Sequence, residues 1–231
     1  ALKVKELVHR CVMALVSPLA FTCWLEKRVS ARDEVFVFWG QALALVPGLP
    51  GSYIRRAFYA WTIRSCPSDC VISFLAIVHD RRAELGSRTY LGAGTTVGFV
   101  KVGAGSSVAS RVSLLSGSQQ HEISAEGRLV PFDRATRASP VSIGEETWIG
   151  EGAIIMADVG PRCIVGAGSV VSRPVPDGML VAGNPAKIIK EGITIVGGRF
   201  LDADANDPFF QASGRDVGLS TGGVAHLVGH E

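Results

Sequence analysis

Aliphatic residues return every six positions along the middle of this chain. The stretch "LGSRTYLGAGTTVGFVKVGAGSSVASRVSLL" carries Leu85, Leu91, Val97, Val102, Val108 and Leu114, with one unit a residue short. After a break the count resumes at Ile143, Ile149, Ile155, Val159, Val165 and Val171, where the unit at Ile155 is two residues short. A helix would space its apolar positions by three and four, and a free strand by two. A period of six fits neither. It fits a short strand that turns a corner, with the aliphatic side chain pointing into a narrow shaft and a small residue following where the backbone bends. Glycine, at 27 of 231 residues, tolerates the positive φ that such corners use. Three strands close a triangular coil, and stacked coils satisfy each other's N–H and C=O groups. Twelve starts give four coils, with one more irregular coil expected over residues 71–84. At about 4.8 Å per rung the column is roughly 20–25 Å tall. The expected fold class is mainly β, with a helical segment before the column and an irregular tail after it.

Net charge is +2 and no lysine/arginine run occurs, which argues against a nucleic-acid partner. The five cysteines (Cys11, Cys23, Cys66, Cys70 and Cys163) are odd in number and scattered. They point to a reducing compartment, not to a disulfide framework. Cys66 and Cys70 lie in "CPSDC" with no second pair to complete a metal site, so they read as ordinary thiols.

Near the N-terminus, residues 11–25 are apolar over about fifteen positions, short of the ~20 that span a bilayer, and Pro18 interrupts them. No credible signal-peptidase site follows. A second apolar stretch, residues 35–51, ends in proline and glycine stops. Both read as helices. The leading expectation is that they pack on each other and on the column. The alternative is a helical layer in a membrane interface, with Trp24, Trp39, Lys27 and Arg28 at its polar boundary.

The segment "VSIGEETWIGEGAIIMADVGPRCIVGAGSVVSRPVPDGMLVAGNPAKIIK", with its "WIG" step and closing "AGNPAK", resembles the hexapeptide-repeat acyltransferases, in the branch of sugar, galactoside and maltose O-acetyltransferases. Upstream, "GSYIRRAFYAWTIRSC" is more loosely similar to acetyltransferases of surface-polysaccharide assembly. The resemblance implies a left-handed parallel β-helix. Three parts are then expected: a helical region over 1–65, the β-helix over 66–190 and a tail or cap over 191–231. It also implies acetyl-coenzyme A as co-substrate, no metal, a homotrimer with sites between columns, and a cytoplasmic enzyme. Contact of the N-terminal helices with the inner membrane would suit a lipid-linked saccharide acceptor.

The break, residues 116–140, is a polar insertion that carries His121, Glu122, Glu126, Arg128, Asp133, Arg134 and Arg137. Loops this long in a compact domain are usually functional or disordered. By spacing alone His121 is equally an exposed loop histidine. The resemblance implies that it is the general base, since an imidazole can take a hydroxyl proton at neutral pH and return it to a leaving thiolate. Glu122 is the candidate for holding its tautomer, and His79 is the competing histidine. The resemblance further implies that the backbone N–H of Glu151 holds the developing oxyanion, with Trp148 beside donor or acceptor. For Trp148 the plain reading is that it fills an outer corner. Exposed backbone at Gly150 and Ala167 would follow the pantetheine arm, and Arg173, Lys187 and Lys190 would meet phosphates. "KIIK" also reads as a solvated helix face. One departure concerns the acceptor: Gly92 stands where the sugar acetyltransferases carry an asparagine, leaving Tyr90, Thr95 or Thr96 as substitutes.

The leading function is therefore acetyl transfer to a sugar or glycan hydroxyl. The alternative keeps the chemistry but moves it to an amino-sugar, an amino acid or an antibiotic. Two other classes stand further off. A zinc carbonic anhydrase on this fold needs three histidines, and residues 85–175 contain only His121. A non-catalytic scaffold would not need His121 at all. The glycine-rich tail from Gly197 leaves the repeat; it is expected either to cap the column or to be partly disordered.

Overall fold

The structure, a computed structural model, describes residues 2–30, 32–117, 122–124, 126–130, 139–192, 194–196 and 199–201. Its chain contacts form two compact units, Ala1–Ile193 and Thr194–Glu231. In the smaller unit, Thr194–Val196 and Arg199–Leu201 pair as an antiparallel hairpin. The tail from residue 202 lies outside the described residues.

The column begins earlier than the regular repeat. Its first rung is β1 (Val71–Ile72), β2 (Ile77–Val78) and β3 (Glu84–Leu85), and its second is β4 (Tyr90–Leu91), β5 (Thr96–Val97) and β6 (Val100–Val102). The third rung starts with β7 (Ser107–Val108) and β8 (Ser113–Leu114). The insertion follows, carrying an antiparallel pair, β9 (Glu122–Ile123) with β10 (Leu129–Val130). The rung then closes with β11 (Val141–Ile143). The fourth and fifth rungs are β12 (Trp148–Ile149) and β13 (Ile154–Ile155), then β14 (Ile164–Val165) and β15 (Val170–Val171), each closed by a single bridging residue, Val159 or Val175. A sixth rung opens with β16 (Leu180–Ala182). β17 (Lys187–Lys190) then reverses and pairs antiparallel with it, so "KIIK" is a strand and not a helix face.

Three parallel faces result. The first stacks β1, β4, β7, β12, β14 and β16, and the second stacks β2, β5, β8, β13 and β15. The third stacks β3, β6 and β11 and continues through Val159 and Val175. Registers align rung on rung, for example Leu91 with Val108 and Val108 with Ile149. All twelve aliphatic positions of the repeat are at most 4% exposed. Each such burial is worth roughly 1.5–3 kcal/mol. The small residue at many corners does more than permit the bend. Thr95 Oγ1 donates to the Ala109 carbonyl at 3.0 Å, Ser106 Oγ to Gly144 at 2.8 Å and Thr147 Oγ1 to Gly160 at 2.9 Å, each tying its corner to the rung above. Cys163 plays the same part with its thiol, 2.9 Å from the Pro176 carbonyl.

Three helices precede the column: α1 (Leu2–Val29), α2 (Glu34–Ala44) and α3 (Gly48–Thr62). Two expectations are corrected here. Pro18 does not interrupt α1. Lacking an N–H, it cannot bond the Ala14 carbonyl four residues back, but the Ser17 hydroxyl donates to that same oxygen at 2.8 Å. The apolar run is thereby extended to Leu7–Val29, 23 residues, long and apolar enough by composition to cross a bilayer. The proline- and glycine-rich end of the second apolar stretch also starts an element. α2 ends at Ala44, and Gly48–Pro50 form the first turn of α3, where proline costs no intrahelical bond. Gly51 is required at this joint, because a Cβ there would lie 1.9 Å from the Val46 carbonyl oxygen.

Arg55 joins the helices to the column. It is 1% exposed. Its Nε donates to the Ile72 carbonyl in β1 at 3.1 Å, and its Nη1 donates to Val46 at 2.7 Å and Leu43 at 3.2 Å beyond and within the end of α2. The cation thus sits at a helix C-terminus, where the orphan carbonyls and the dipole favour it.

Candidate active site

The edge joining the first and second faces is built from four-residue corners: 92–95, 109–112, 150–153 and 166–169. In each upper corner a glycine passes so close to the next rung that no side chain fits. A Cβ on Gly150 would lie 2.5 Å from the Ala167 nitrogen, and one on Gly166 would lie 2.9 Å from the Ala182 Cβ. The second residue of a corner accepts from the rung above through its carbonyl, as Glu151 does from Gly168 N–H at 2.8 Å and Ser110 from Gly152 N–H at 3.0 Å. Among the described residues, the N–H groups of Glu151 and Ala167 have no backbone acceptor. Gly150 is buried and spends its own N–H on the Val165 carbonyl at 2.7 Å, against the exposed backbone expected of it, so the edge offers the Glu151 and Ala167 donors, one rung apart, about 4.8 Å.

The other residues singled out by resemblance divide. Lys187 lies opposite Ala182, at the top of this same edge, while Lys190 lies opposite Leu180 at the far end of β16. Both stand on the first face, Lys187 exposed and Lys190 half-buried. Arg173 lies just after β15, on the edge between the second and third faces, away from Glu151. Trp148 is half-buried in β12 between Ser107 and Ile164, on a strand rather than at the corner expected from the plain reading. Arg111, which the sequence did not single out, forms an ion pair with Glu151 at 2.6 Å. It occupies the corner one rung below, and only the stacking of rungs brings the two together.

The insertion leaves from the edge between the second and third faces. Its two ends meet: a Cβ on Gly117 (φ +86°) would lie 2.6 Å from Ser139 Oγ. The root is pinned to the rung below by Ser116 Oγ, which accepts from Phe99 N–H at 2.8 Å. His121 lies outside the described residues, and of Glu122 only the backbone, in β9, is described. At the hairpin turn the Ser124 hydroxyl holds the exposed Glu126 carboxyl below its ordinary pKa. His79, placed before the regular coils on sequence, stands in the first rung just after β2, half-buried, two rungs beneath the insertion on the same edge.

The asparagine position is closed to any side chain. A Cβ on Gly92 would lie 2.4 Å from the Ala109 carbonyl carbon and 2.5 Å from the Ser110 nitrogen. Of its three candidate substitutes, Thr95 is fully buried and spends its hydroxyl on Ala109. Tyr90 and Thr96 face outward, half-buried, on the first and second faces.

Residues 140–173 match the family model for the bacterial transferase hexapeptide, six repeats. Over 175 residues the chain is 27% identical to galactoside O-acetyltransferase of Escherichia coli, covering 72% of this chain and 70% of that one. Over 98 residues it is 35% identical to WbbJ of the same organism, named as a candidate lipopolysaccharide-biosynthesis O-acetyl transferase, covering 40% and 50%. Across the first curated relatives the chain spans from 36% to 70% of their length. Among solved structures, a maltose O-acetyltransferase from Clostridium difficile 630 superposes with a TM-score of 0.54 at 21% identity, over 68% of this chain and 84% of that one. That likeness concerns the fold, a left-handed parallel β-helix. Within the column, residues 140–173 thus match the bacterial transferase hexapeptide repeats, and the chain is similar over a longer stretch to acetyltransferases that carry them.

Proposed function

We propose that this chain transfers an acetyl group from acetyl-coenzyme A to a hydroxyl of a sugar or glycan. The supporting observation is the edge at Glu151 and Ala167, whose two backbone N–H groups have no backbone acceptor among the described residues and stack within the matched repeats. The names of the relatives agree with this chemistry and with a saccharide acceptor.

In this reading acetyl-coenzyme A, when bound, supplies the activated thioester carbonyl. The Ala167 N–H and the exposed glycine backbone beside it are suited to the amides of a pantetheine arm. Lys187, at the top of the same edge, is the cation best set for a phosphate; Arg173 and Lys190 stand further away and are weaker candidates. His121 accepts the acceptor hydroxyl's proton on its imidazole as that oxygen attacks, and later returns it to the departing sulfur. The Glu151 N–H donates to the oxyanion, an interaction worth roughly 3–4 kcal/mol where a single such donor has been removed. Arg111 engages the Glu151 carboxylate and so draws a negative charge away from the forming oxyanion.

The position of the edges also supports an assembly. In one column the root of the insertion and the Glu151 corner are separated by the whole second face, about 17 Å of backbone. A homotrimer, with the insertion of one column reaching the Glu151 edge of the next, brings the two together by a closed symmetric arrangement. We place the enzyme in the cytoplasm, where acetyl-coenzyme A is made.

His121→Ala tests the reading, with thiol release from acetyl-coenzyme A measured against galactoside, maltose and amino-sugar acceptors. A 100- to 10,000-fold loss of kcat is expected, of the size general base catalysis usually carries, with the thermal midpoint unchanged. Turnover that survives the substitution removes His121 from the mechanism. Turnover only on amino acceptors moves the activity to N-transfer.

A further inference from the structure

α1 is apolar on both sides. Its inner side buries Val16 and Cys23. Its outer side leaves Leu7, Leu15, Phe21, Trp24, Leu25 and Val29 exposed, Leu15 at 69% and Val29 at 82%. A helix apolar all round normally has cover all round, and contiguous apolar surface rimmed by charge marks a contact. Phe38 of α2 and Trp61 of α3 extend the exposed surface. Between α1 and α3 lies an apolar groove of about 360 Å³ lined by Ser17, Ala20, Phe21, Trp24 and Trp61.

The charges beside this surface select its partner. At the C-terminal end of α1, Lys27 and Arg28 are exposed, and the Arg28 guanidinium lies 4.7 Å over the Trp24 ring. Of the neighbouring acids, Glu34 is exposed but paired with Arg32 at 3.3 Å, and Glu26 and Asp33 are turned inward. Glu26 accepts from Arg81 at 2.9 Å and from Val35 N–H at 2.7 Å, and Asp33 meets Arg81 at 2.6 Å. Apart from the Arg32–Glu34 pair, what remains outward is aromatic, aliphatic and cationic, the combination that suits an anionic lipid surface.

The 23-residue apolar run would span a bilayer if α1 stood alone. It does not stand alone. His9 meets Arg56 at 3.5 Å, Trp61 Nε1 donates to the Met13 carbonyl at 3.3 Å, Trp39 Nε1 donates to Thr22 Oγ1 at 3.0 Å, and Glu26 is held by Arg81. These ties run along residues 9–26, about 26 Å of helix, and hold the part of α1 that meets α2, α3 and Arg81. Among the described residues, the face with Leu7, Phe21, Leu25 and Val29 is left to meet lipid.

We propose that α1 lies flat in the headgroup region of an anionic bilayer as an in-plane anchor, outer face down and helical layer intact, with the column held above the membrane. The inference is independent of the acceptor and of the role of His121.

The test is flotation of the full-length protein with vesicles of phosphatidylcholine and phosphatidylglycerol in equal parts, and with vesicles of phosphatidylcholine alone. Wild type should float with the anionic vesicles and be released by alkaline carbonate. Phe21→Ser/Trp24→Ser should abolish flotation, and Lys27→Ala/Arg28→Ala should weaken partitioning by roughly 25-fold, since each cation near an anionic surface contributes about a fivefold change. Circular dichroism and the thermal midpoint should match wild type for both variants, because all four side chains are exposed. Wild type that stays unbound, or variants that float as wild type does, overturn the proposal. Retention after carbonate means that α1 spans instead. Loss of self-association in Phe21→Ser/Trp24→Ser, without any change in flotation, assigns the face to a second copy of the chain.

Discussion

The column and the helical layer draw on the same apolar residue types and place them in opposite ways. In the column the aliphatic side chains of the repeat point inward and vanish from the surface; in α1 an aliphatic and aromatic row of similar length points outward. The difference lies in how each satisfies its backbone. A two-residue strand cannot bond to itself, so every rung depends on the next, and the shaft between the faces is the only dry place for a side chain. A helix closes its own bonds and can present an apolar face to whatever surrounds it. Rung geometry therefore dictates the interior of the column, whereas the surroundings dictate what the outer face of α1 is for.

Paired truncations should separate the two regions most widely. Ile149→Ala removes a fully buried side chain from the shaft, where facing strands cannot collapse inward without losing register. We expect a loss of about 2–5 kcal/mol in denaturant unfolding. Phe21→Ala, on the outer face of α1, should change stability by no more than about 0.5 kcal/mol in the absence of lipid. Equal losses would mean that the outer face of α1 is already covered in solution.

Arg55→Met probes the joint. The guanidinium is buried with no carboxylate beside it among the described residues, and burial pulls its pKa down from the ordinary value. Its hydrogen bonds go to carbonyls on both sides of the joint, Ile72 in β1 and Leu43 and Val46 around the end of α2. Methionine refills the volume but leaves those acceptors bare. A loss of about 1–3 kcal/mol is expected, read as a shifted denaturant midpoint. A split into two transitions would mean that the helical layer and the column unfold separately.

What the sequence revealed follows the same division. All twelve shaft positions were legible, because a period of six has few structural solutions and one aliphatic per unit marks the inside of each. Corners at Gly92 and Gly150 were legible as glycine, though not the close approach of the next rung that forbids a side chain there. The Arg111–Glu151 pair was not legible, because 40 positions separate two residues that only the stacking of rungs brings together. Nor was the continuity of α1 through Pro18, which rests on the Ser17 hydroxyl replacing a missing donor. α3 was hidden because its opening turn carries the proline and glycine that usually mark an end.

Thr147→Val isolates the hydroxyl bracket at a column corner. The side chain is buried and its shape is nearly conserved, so the change removes chiefly the 2.9 Å bond to the Gly160 carbonyl. About 1–2 kcal/mol should be lost in urea unfolding. No loss would reduce the bracket to a space-filler and return the small residue at each corner to the bending role read from sequence.

The smallest expected effects lie on the edge at the candidate site, where Gly152 and Arg111 take the same left-handed turn with different residues. Gly152 has φ +69° and open space around a built Cβ, so Gly152→Ala meets only the conformational penalty, about 1 kcal/mol. Arg111 accepts that penalty at φ +57° and gains the ion pair with Glu151, whose partners are 76% and 51% exposed. Such pairs are worth at most about 1 kcal/mol in water. Arg111→Gly therefore relieves one small term and forfeits another, and the thermal midpoint should stay within about 2 °C of wild type, the shift that a few tenths of a kcal/mol produce in a chain this size. If Arg111→Gly instead lowers transfer several-fold at unchanged stability, the arginine is held in its strained turn for the charge it brings beside the Glu151 N–H, and the edge of the column is shaped by chemistry as well as by rung geometry.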